Sequence, residues 1–124
     1  MESFLFKEAF VTLATYQLDI TMAFYKGLLG SDPQIYLPDI YAEFLLPGLK
    51  LGIFQPKPEN DCEFVAHNHG MLSLCFEVEN LEAAIAHLTA LGYAPPGQPI
   101  TASHGREVYA YDPDGNRLIL HQAI

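Results

Sequence analysis

Two residues of this chain, His121 and Glu77, have side chains suited to moving protons. An imidazole titrates near neutral pH and a carboxylate can accept a proton, so either residue can act in acid–base catalysis without a cofactor. His121 shares strand parity with Arg117 and Ile119, so these three side chains should point to one face of a sheet. The alternative interpretation of His121 is a C-terminal histidine whose ring is satisfied by solvent.

The other four histidines have patterns that are more typical of surface positions. His67 and His69 stand two apart, where extended backbone would place both rings on one side, but a surface loop is the more usual structure in such a stretch. His87 is expected on the solvent-facing side of a helix, and His104 is expected in a loop. A displaced metal site built from histidines is therefore an alternative and not the main prediction.

The two cysteines, Cys62 and Cys75, have neither metal-like nor redox-like spacing. Cys75 has no recognisable basic neighbour, and a buried thiol is usually inert. No Ser-His-Asp order stands out in the sequence, and it contains no glycine-rich phosphate loop. Nucleophilic catalysis is therefore not predicted, and a cytoplasmic protein with reduced thiols is expected.

The charge of the chain limits its partners. Six Lys and Arg residues stand against 15 Asp and Glu residues, which gives a formal net charge of −9. Repulsion disfavours nucleic acid and anionic membrane surfaces, and no basic cluster reverses this locally. The same charge suits a cleft for neutral or cationic small molecules, although it also serves solubility alone. Residues 1–7 include an early acid and no long apolar stretch, so neither a signal peptide nor a membrane span is predicted.

One pattern of elements occurs twice in the chain. The first copy has a β-rich run at residues 9–16, followed by a helix that Gly30 ends with a left-handed turn. The second copy has an alternating apolar run at residues 72–78, followed by a helix that Asn80 caps and Gly92 ends. Each helix therefore follows a strand directly, at corresponding places in the two halves.

Three extended segments follow each helix, at residues 34–37, 40–46 and 49–55 in the first half and 99–102, 106–111 and 116–121 in the second. Half of the 124 residues are apolar, which is enough for the core of one compact domain. Neither half can cover its sheet face alone. The sequence therefore predicts an α+β fold in which modules 1–56 and 70–124, joined by a linker at 57–69, form a single domain over residues 1–124.

The first helix is apolar nearly all the way round. A helix of this kind usually packs against something on both sides. The sheet and a second subunit would explain the pattern, and so would a few exposed apolar side chains. The residues concerned are Leu18, Ile20, Met22, Ala23, Phe24 and Tyr25.

Motifs in both halves carry a family resemblance. They are Leu18-Asp19, Phe24-Tyr25 and Leu28-Leu29-Gly30 in the first half, and residues 74–81, Leu91-Gly92-Tyr93, His104-Gly105-Arg106 and Tyr111-Asp112-Pro113-Asp114-Gly115-Asn116 in the second. With these motifs the chain resembles, over essentially its full length, the vicinal-oxygen-chelate superfamily of glyoxalases, bleomycin-resistance proteins and extradiol dioxygenases. The final turn is the most specific motif, because its Pro and Gly stand where the backbone angles favour them. The resemblance implies two βαβββ modules that form a curved mixed sheet around a concave cleft, with one helix per module on the convex side.

Enzymes of that superfamily carry His or Glu metal ligands on strands that line the cleft. The resemblance places three of those positions at Phe10, Ser73 and Ile119, and a fourth on the strand at residues 49–55, which contains no Asp, Glu, His or Cys. Phe and Ile offer no lone pair to a metal, and Ser is a poor ligand for zinc, nickel or iron. Neither a metal nor another cofactor is therefore expected.

Strand parity and the resemblance together give the expected lining of the cleft. An apolar and aromatic lining with a few polar groups is typical of a small-molecule site, although the same side chains can instead fill the cavity or contact a second subunit. The candidate ligand-binding residues are Phe10, Thr12, Ser73, Cys75, Glu77, Tyr109, Tyr111, Arg117, Ile119 and His121.

The resemblance thus favours a metal-free protein that binds or sequesters a small molecule, aromatic or cationic, as the bleomycin-resistance proteins do in principle. One alternative is a glyoxalase-like lyase or dioxygenase with a displaced metal site. The other is a degenerate family member that acts only through protein contacts. Whether the chain is an enzyme stays open, with metal-dependent catalysis unsupported. A homodimer is implied by the resemblance alone.

Overall fold

The computed structural model describes residues 4–5, 7–65 and 70–124, and gives only the backbone of residues 60–62. His67 and His69 lie outside the described residues, and so does the side chain of Cys62. The elements, in chain order, are β1 (Val11–Ala14), α1 (Leu18–Leu29), β2 (Ile35–Leu37), β3 (Tyr41–Leu46), β4 (Leu49–Phe54), a 3-10 helix (Pro58–Phe64), β5 (Ser73–Glu77), α2 (Leu81–Ala90), β6 (Ile100–Ala102), β7 (Gly105–Tyr111) and β8 (Arg117–Ala123).

The strands form two mixed sheets of four strands each, ordered β1-β4-β3-β2 and β5-β8-β7-β6. In each sheet the strand before the helix pairs in parallel with the last strand of its module, and the other pairs are antiparallel. The α+β class and the two βαβββ modules predicted from the sequence are therefore confirmed. The short 3-10 helix in the predicted linker was not anticipated.

The ends of both helices follow from local chemistry. The Asn80 side chain accepts a hydrogen bond from the Ala83 amide at 2.9 Å, which satisfies a free donor of the first turn of α2. Gly30 ends α1 with φ 69°, a left-handed conformation that costs glycine little. Gln17, which precedes α1, makes no cap of this kind, and its side-chain amide reaches the second module instead.

Buried apolar side chains from both modules form one core. Leu118 and Leu120 of β8, with Val108 and Ala110 of β7, are all at most 2% exposed and face the helix side of the second sheet. Alternate residues of the same strands point to the opposite face, as expected for a pleated sheet. We call these opposite faces, which neither α1 nor α2 covers, the open faces of the two sheets.

The two modules meet along α1. Tyr25 donates a hydrogen bond to Asp112 at 2.6 Å, and Thr21 donates one to Asp114, also at 2.6 Å. The Phe24 ring packs edge-on against Tyr93 of the second module, with 4.8 Å between the ring centroids. We call this contact region the module seam. The second module therefore covers Phe24 and Tyr25 of α1, whereas Ile20 (48%) and Ala23 are exposed within the single chain, which agrees with the interpretation of a few exposed apolar side chains.

The helix α2 contributes a further contact to the seam. Its His87 ring nitrogen Nε2 lies 2.9 Å from the Gly27 carbonyl oxygen of α1. The sequence indicated a histidine surrounded by solvent, so this prediction is corrected in part: the ring is exposed but hydrogen-bonded to the neighbouring helix. No helix within the described ranges is long and apolar enough to cross a membrane.

Candidate functional site

The open face of the second sheet carries the side chains that offer the most chemistry. Cross-strand partners point to the same face, so the strand register arranges these side chains in three rows across β5, β8 and β7. The rows are Ser73–Arg117–Tyr111, Cys75–Ile119–Tyr109 and Glu77–His121–Glu107. The predicted parity of β5, β7 and β8 is therefore correct. Cys75 is exposed on this face, which corrects the expectation of a buried thiol.

A hydrogen-bonded chain of three side chains occupies the last of these rows. The His121 Nδ1 atom lies 2.7 Å from Glu77 Oε1, and the His121 Nε2 atom lies 2.8 Å from His104 Nδ1. The two imidazole rings are stacked, with 4.9 Å between their centroids and 29° between their planes. The backbone amide of Ala123 donates to the other oxygen of Glu77 at 2.9 Å. We call this arrangement the Glu77–His121–His104 chain.

The charge state of Glu77 follows from its partners. The hydrogen bond from His121 is the largest influence that holds the pKa of the Glu77 carboxyl below its ordinary value, and the Ala123 amide acts in the same direction. A carboxylate that accepts from two donors stays ionised at neutral pH. Glu77 is therefore the acceptor end of the chain.

His104 was missed as a partner of His121. The strand register pairs Ala102 with Gly105, so residues 103–104 form a two-residue hairpin loop beside the end of β8. Gly105 has φ 146°, and a Cβ atom there would lie 2.2 Å from the Gln122 carbonyl oxygen, so the loop can pass this close to β8 only with glycine. Gly105 was therefore the one feature of the sequence that could have indicated that the loop folds back against β8.

A pocket of about 930 Å³ lies where the edge strands β1 and β5 approach each other, between the modules. Most of its lining is apolar, and the 3-10 helix covers part of it. We call it the inter-module pocket. Its lining residues are Val11, Thr12, Leu13, Ala14, Thr15, Tyr16, Gln17, Phe64, Val65, Gly70, Met71, Leu72, Ser73, Leu74, Asp114, Asn116 and Arg117.

Polar groups of the inter-module pocket are few and mostly engaged. Asp114 accepts hydrogen bonds from Gln17 at 2.9 Å and from Thr21 at 2.6 Å, so its charge is committed to the module seam. The Arg117 guanidinium donates to Ser73 Oγ and to the Gly70 carbonyl, each at 3.1 Å. Arg117 is the only basic residue in the described lining of the pocket. A ligand in this pocket would therefore meet an apolar surface with one positive charge on Arg117 and one negative charge on Asp114, whose oxygens are already hydrogen-bonded across the seam.

The comparisons with known proteins agree with this architecture. Residues 9–120 match the Glyoxalase/Bleomycin resistance protein/Dioxygenase superfamily. The chain belongs to this superfamily. No protein of curated function matches the sequence. The solution structure of protein ATC0852 from Agrobacterium tumefaciens is 30% identical, with a TM-score of 0.77, and the match covers 93% of this chain and 95% of that one.

Two further solved structures share the fold of this superfamily member. A glyoxalase/bleomycin resistance protein from Catenulispora acidiphila is 24% identical with a TM-score of 0.68, over 94% of this chain and 97% of that one. The genomically encoded fosfomycin resistance protein FosX from Listeria monocytogenes is 22% identical with a TM-score of 0.72, over 97% of this chain and 93% of that one. At these identities the similarity shows the fold alone.

The internal repeat locates the fourth ligand position of the superfamily in this chain. Val11 pairs with Leu51 in the first module as Leu74 pairs with Leu118 in the second, so the counterpart of Ile119 is Gly52. Glycine has no side chain to bind a metal. A Cβ atom at Gly52 would lie 2.7 Å from the Tyr41 hydroxyl oxygen, so a phenol occupies the space where a ligand side chain would stand.

The other ligand positions are equally unsuited to a divalent cation. Phe10 lies with its ring centroid 5.1 Å from the Lys50 ammonium nitrogen, which is itself a cation on this face. Ser73 Oγ accepts a hydrogen bond from Arg117. Ile119 offers no donor atom. The residues present therefore do not fit a metal centre of the superfamily type, and the described residues contain no group of three or more His, Cys, Asp or Glu that could hold a metal ion.

The ten residues predicted to line one cleft fall into separate places. Thr12, Ser73 and Arg117 line the inter-module pocket. Phe10 is 45% exposed on the open face of the first sheet, beside Lys50. The other six lie on the open face of the second sheet outside the pocket, and they are Cys75, Glu77, Tyr109, Tyr111, Ile119 and His121. Whether any of the ten binds a ligand stays a prediction.

Proposed function

We propose that this chain binds a small organic molecule in the inter-module pocket and that binding needs no metal ion. The observation that carries the proposal is the pocket itself, about 930 Å³ in volume and mostly apolar in its lining. Pockets for small molecules are typically apolar concavities of roughly 300–1,000 Å³ with a few polar groups that orient the ligand. The Ser73 hydroxyl and the Arg117 guanidinium are such groups here.

The lining favours an aromatic ligand that carries a hydrogen-bond acceptor or an anionic group. Tyr16, Phe64 and Leu72 offer apolar surface, and the guanidinium of Arg117 recognises carboxylate and similar acceptors with two parallel donors. The overall charge of −9 attracts cations towards the protein, but Arg117 repels them locally. We therefore propose a neutral or anionic aromatic ligand in preference to a cationic one.

The proposal of metal-free binding follows from the side chains at the superfamily's ligand positions. Phe10, Gly52 and Ile119 offer no side-chain donor, and Ser73 is already hydrogen-bonded to Arg117. A superfamily member with these residues can keep a ligand site while losing the metal chemistry. Binding or sequestering a compound is therefore proposed ahead of catalysis at a metal.

We also propose that the protein is a cytoplasmic homodimer. The contact surface we propose is the open face of the first sheet, which exposes Phe10 (45%) and Leu45 (60%). Exposed apolar patches of this kind mark contact surfaces. A monomer at micromolar concentration in sedimentation equilibrium would refute the dimer without affecting the pocket.

Thermal shift measurements with three matched probes test the binding proposal. The probes are 1-naphthoate, 1-naphthalenemethanol and 1-naphthylmethylammonium, which share one ring system and differ in charge. Ligand present at 100 times its Kd stabilises a protein by about 2.7 kcal/mol. We expect stabilisation by 1-naphthoate and 1-naphthalenemethanol, and a smaller effect of the ammonium compound. Greater stabilisation by the ammonium compound would refute the charge argument, and no stabilisation by any probe would refute binding in the pocket.

Two arginine variants provide the control. Arg117→Gln should remove the preference for 1-naphthoate over 1-naphthalenemethanol. Arg106→Gln should not, because Arg106 pairs with Glu82 of α2 at 2.7 Å and lies outside the pocket. Elemental analysis of protein purified without chelator tests the metal-free part. Stoichiometric zinc, nickel, iron or manganese would overturn it and favour a displaced metal site.

A further inference from the structure

The Glu77–His121–His104 chain lies at the opposite end of β5 from the inter-module pocket. Ser73 starts β5 and lines the pocket, whereas Glu77 ends the strand, about 13 Å further along. The Glu77–His121–His104 chain is therefore a separate cluster that the proposed binding function does not use. Its groups come from three different segments: β5, β8 and the hairpin loop before β7.

The hydrogen bonds of the Glu77–His121–His104 chain have one direction when both imidazoles are neutral. Glu77 is an ionised acceptor, so His121 Nδ1 carries the proton that it receives. His121 Nε2 is then an acceptor and takes its hydrogen bond from His104 Nδ1. The remaining nitrogen, Nε2 of His104, is left with a lone pair. Because His104 is exposed, this lone pair can reach a solvent-borne substrate.

The Glu77–His121–His104 chain can also stabilise the positive charge that proton uptake creates. A proton taken up by His104 Nε2 lets its Nδ1 proton pass to His121, whose Nδ1 proton stays shared with the Glu77 carboxylate at 2.7 Å. The charge then lies next to the Glu77 carboxylate. An orienting carboxylate behind a histidine is the arrangement that raises its effectiveness as a base.

The groups around the Glu77–His121–His104 chain restrict the charge and polarity of a substrate. Glu107 of β7 is the cross-strand partner of His121 on the same face, and Ile100 of β6 is in turn the partner of Glu107. Cys75 and Ile119 form the neighbouring row, and on the other face Arg106 is held by Glu82. Two carboxylates beside an apolar row repel anions and accept neutral molecules with an apolar part.

We propose that His104 is the general base of a metal-free hydrolytic site for neutral, activated esters, with His121 and Glu77 as positioning residues. His104 Nε2 removes a proton from water, and the hydroxide formed adds to the ester carbonyl carbon. The tetrahedral intermediate collapses by breaking the bond to the alcohol oxygen, and the leaving alkoxide takes the proton from His104. Ester and water become acid and alcohol, and no oxidant, reductant or cofactor takes part.

Hydrolysis of 4-nitrophenyl acetate by the full chain tests this assignment. General base catalysis typically contributes about 10²–10⁴-fold, so His104→Gln should reduce the protein-dependent rate at least tenfold. His87→Gln is the matched control, since His87 is also exposed and hydrogen-bonded but belongs to α2, and this variant should keep the rate. Saturating 1-naphthoate, whose proposed site is the inter-module pocket, should also leave the rate unchanged, which separates this proposal from ligand binding in that pocket. Equal rates for His104→Gln and His87→Gln would overturn the proposal.

The positioning role has its own readouts. The rate should rise with pH through the neutral range, and Glu77→Gln should move the midpoint of this rise to lower pH, because a carboxylate favours the protonated imidazole. An unchanged midpoint in Glu77→Gln would refute the role of the carboxylate. A burst of 4-nitrophenolate with an acylated protein would show a nucleophile in place of a base, and loss of the rate with a chelator would show a metal. Imidazole ¹⁵N NMR of the unmodified chain, expected to show His104 protonated on Nδ1, tests the hydrogen-bond direction even if a variant fails to fold.

Discussion

The phenol of Tyr25 provides the sharpest test of how the two modules are held together. Its ring is 0% exposed, and its hydroxyl donates to Asp112 Oδ2 at 2.6 Å across the module seam. The Asp112 carboxylate is itself only 4% exposed and also accepts from the Asn116 side chain at 2.8 Å and from the backbone amides of Asp114 and Asn116 at 2.9 Å. The substitution Tyr25→Phe therefore removes one of four donors to a buried carboxylate and leaves the ring in place.

The expected cost follows from the type of bond that is lost. A hydrogen bond to a charged group contributes about 1.5–3 kcal/mol to stability. Three donors remain on Asp112, so the carboxylate is not left without partners and the cost should lie near 2 kcal/mol. For a domain of 124 residues this free energy corresponds to a fall in the melting temperature of about 6–10 °C.

Urea unfolding monitored by circular dichroism measures this loss. The midpoint should fall while the slope with denaturant stays the same, because the surface exposed on unfolding does not change. Tyr93→Phe is the matched control: the Tyr93 ring packs against Phe24 in the same seam, but its hydroxyl makes no hydrogen bond to another described residue. That variant should change the free energy of unfolding by less than about 0.5 kcal/mol. Equal losses in the two variants would refute the assignment of seam stability to the Tyr25–Asp112 bond.

Two further predictions concern alkaline stability and the hairpin before β7. Burial, followed by the nearby Asp112 carboxylate, raises the pKa of Tyr25 above its ordinary value, so above about pH 10 the unfolded chain releases a proton that the folded chain retains. The free energy of unfolding should therefore fall by up to about 1.4 kcal/mol per pH unit as the pH rises. The fall should be less steep in Tyr25→Phe. Parallel plots of this free energy against pH for the two proteins would contradict the role of Tyr25. Gly105→Ala should lower the free energy of unfolding by about 1–3 kcal/mol, because Gly105 has a φ of 146° and an added Cβ would collide with the Gln122 carbonyl oxygen. Gly97→Ala is the control and should cost nothing, because its Cβ would meet no atom within 4 Å. Equal melting temperatures for the two variants would contradict the backbone strain at Gly105.

Local patterns predicted most of the fold because local chemistry determines it. The cap at Asn80 and the stop at Gly30 act within one helical turn, so both helix ends were found where the sequence placed them. Strand alternation identified the buried side of β7 and β8 for the same reason. Strand ends were less accurate: the first run was predicted over residues 9–16, but only Val11–Ala14 pairs with β4. Pairing depends on the partner strand, which no local pattern contains.

The site was predicted less well because it depends on how distant elements meet. Parity gives the face of a sheet on which a residue lies, but not what lies opposite that face. Thr12, Ser73 and Arg117 line the inter-module pocket, which forms between the edges of β1 and β5 and not over the centre of a sheet. The contact of His104 with His121 depends on the register of a hairpin 17 residues away. These contacts are properties of the assembled fold and could not be derived from spacing.

The two modules repeat one topology but do not repeat its chemistry. On the open face of the first sheet, Glu43 is only 7% exposed, and it accepts hydrogen bonds from Tyr41 at 2.7 Å and from Gln34, with Lys50 4.0 Å away. This carboxylate is satisfied within the module, and burial with the Glu43 hydrogen bond raises the pKa of Tyr41 to about 12, so the phenol stays a donor at neutral pH. The corresponding face of the second sheet carries the Glu77–His121–His104 chain, in which His104 Nε2 is left with a lone pair. Because Glu43 of the first module is hydrogen-bonded by its own neighbours, the general base that we propose lies in the second module.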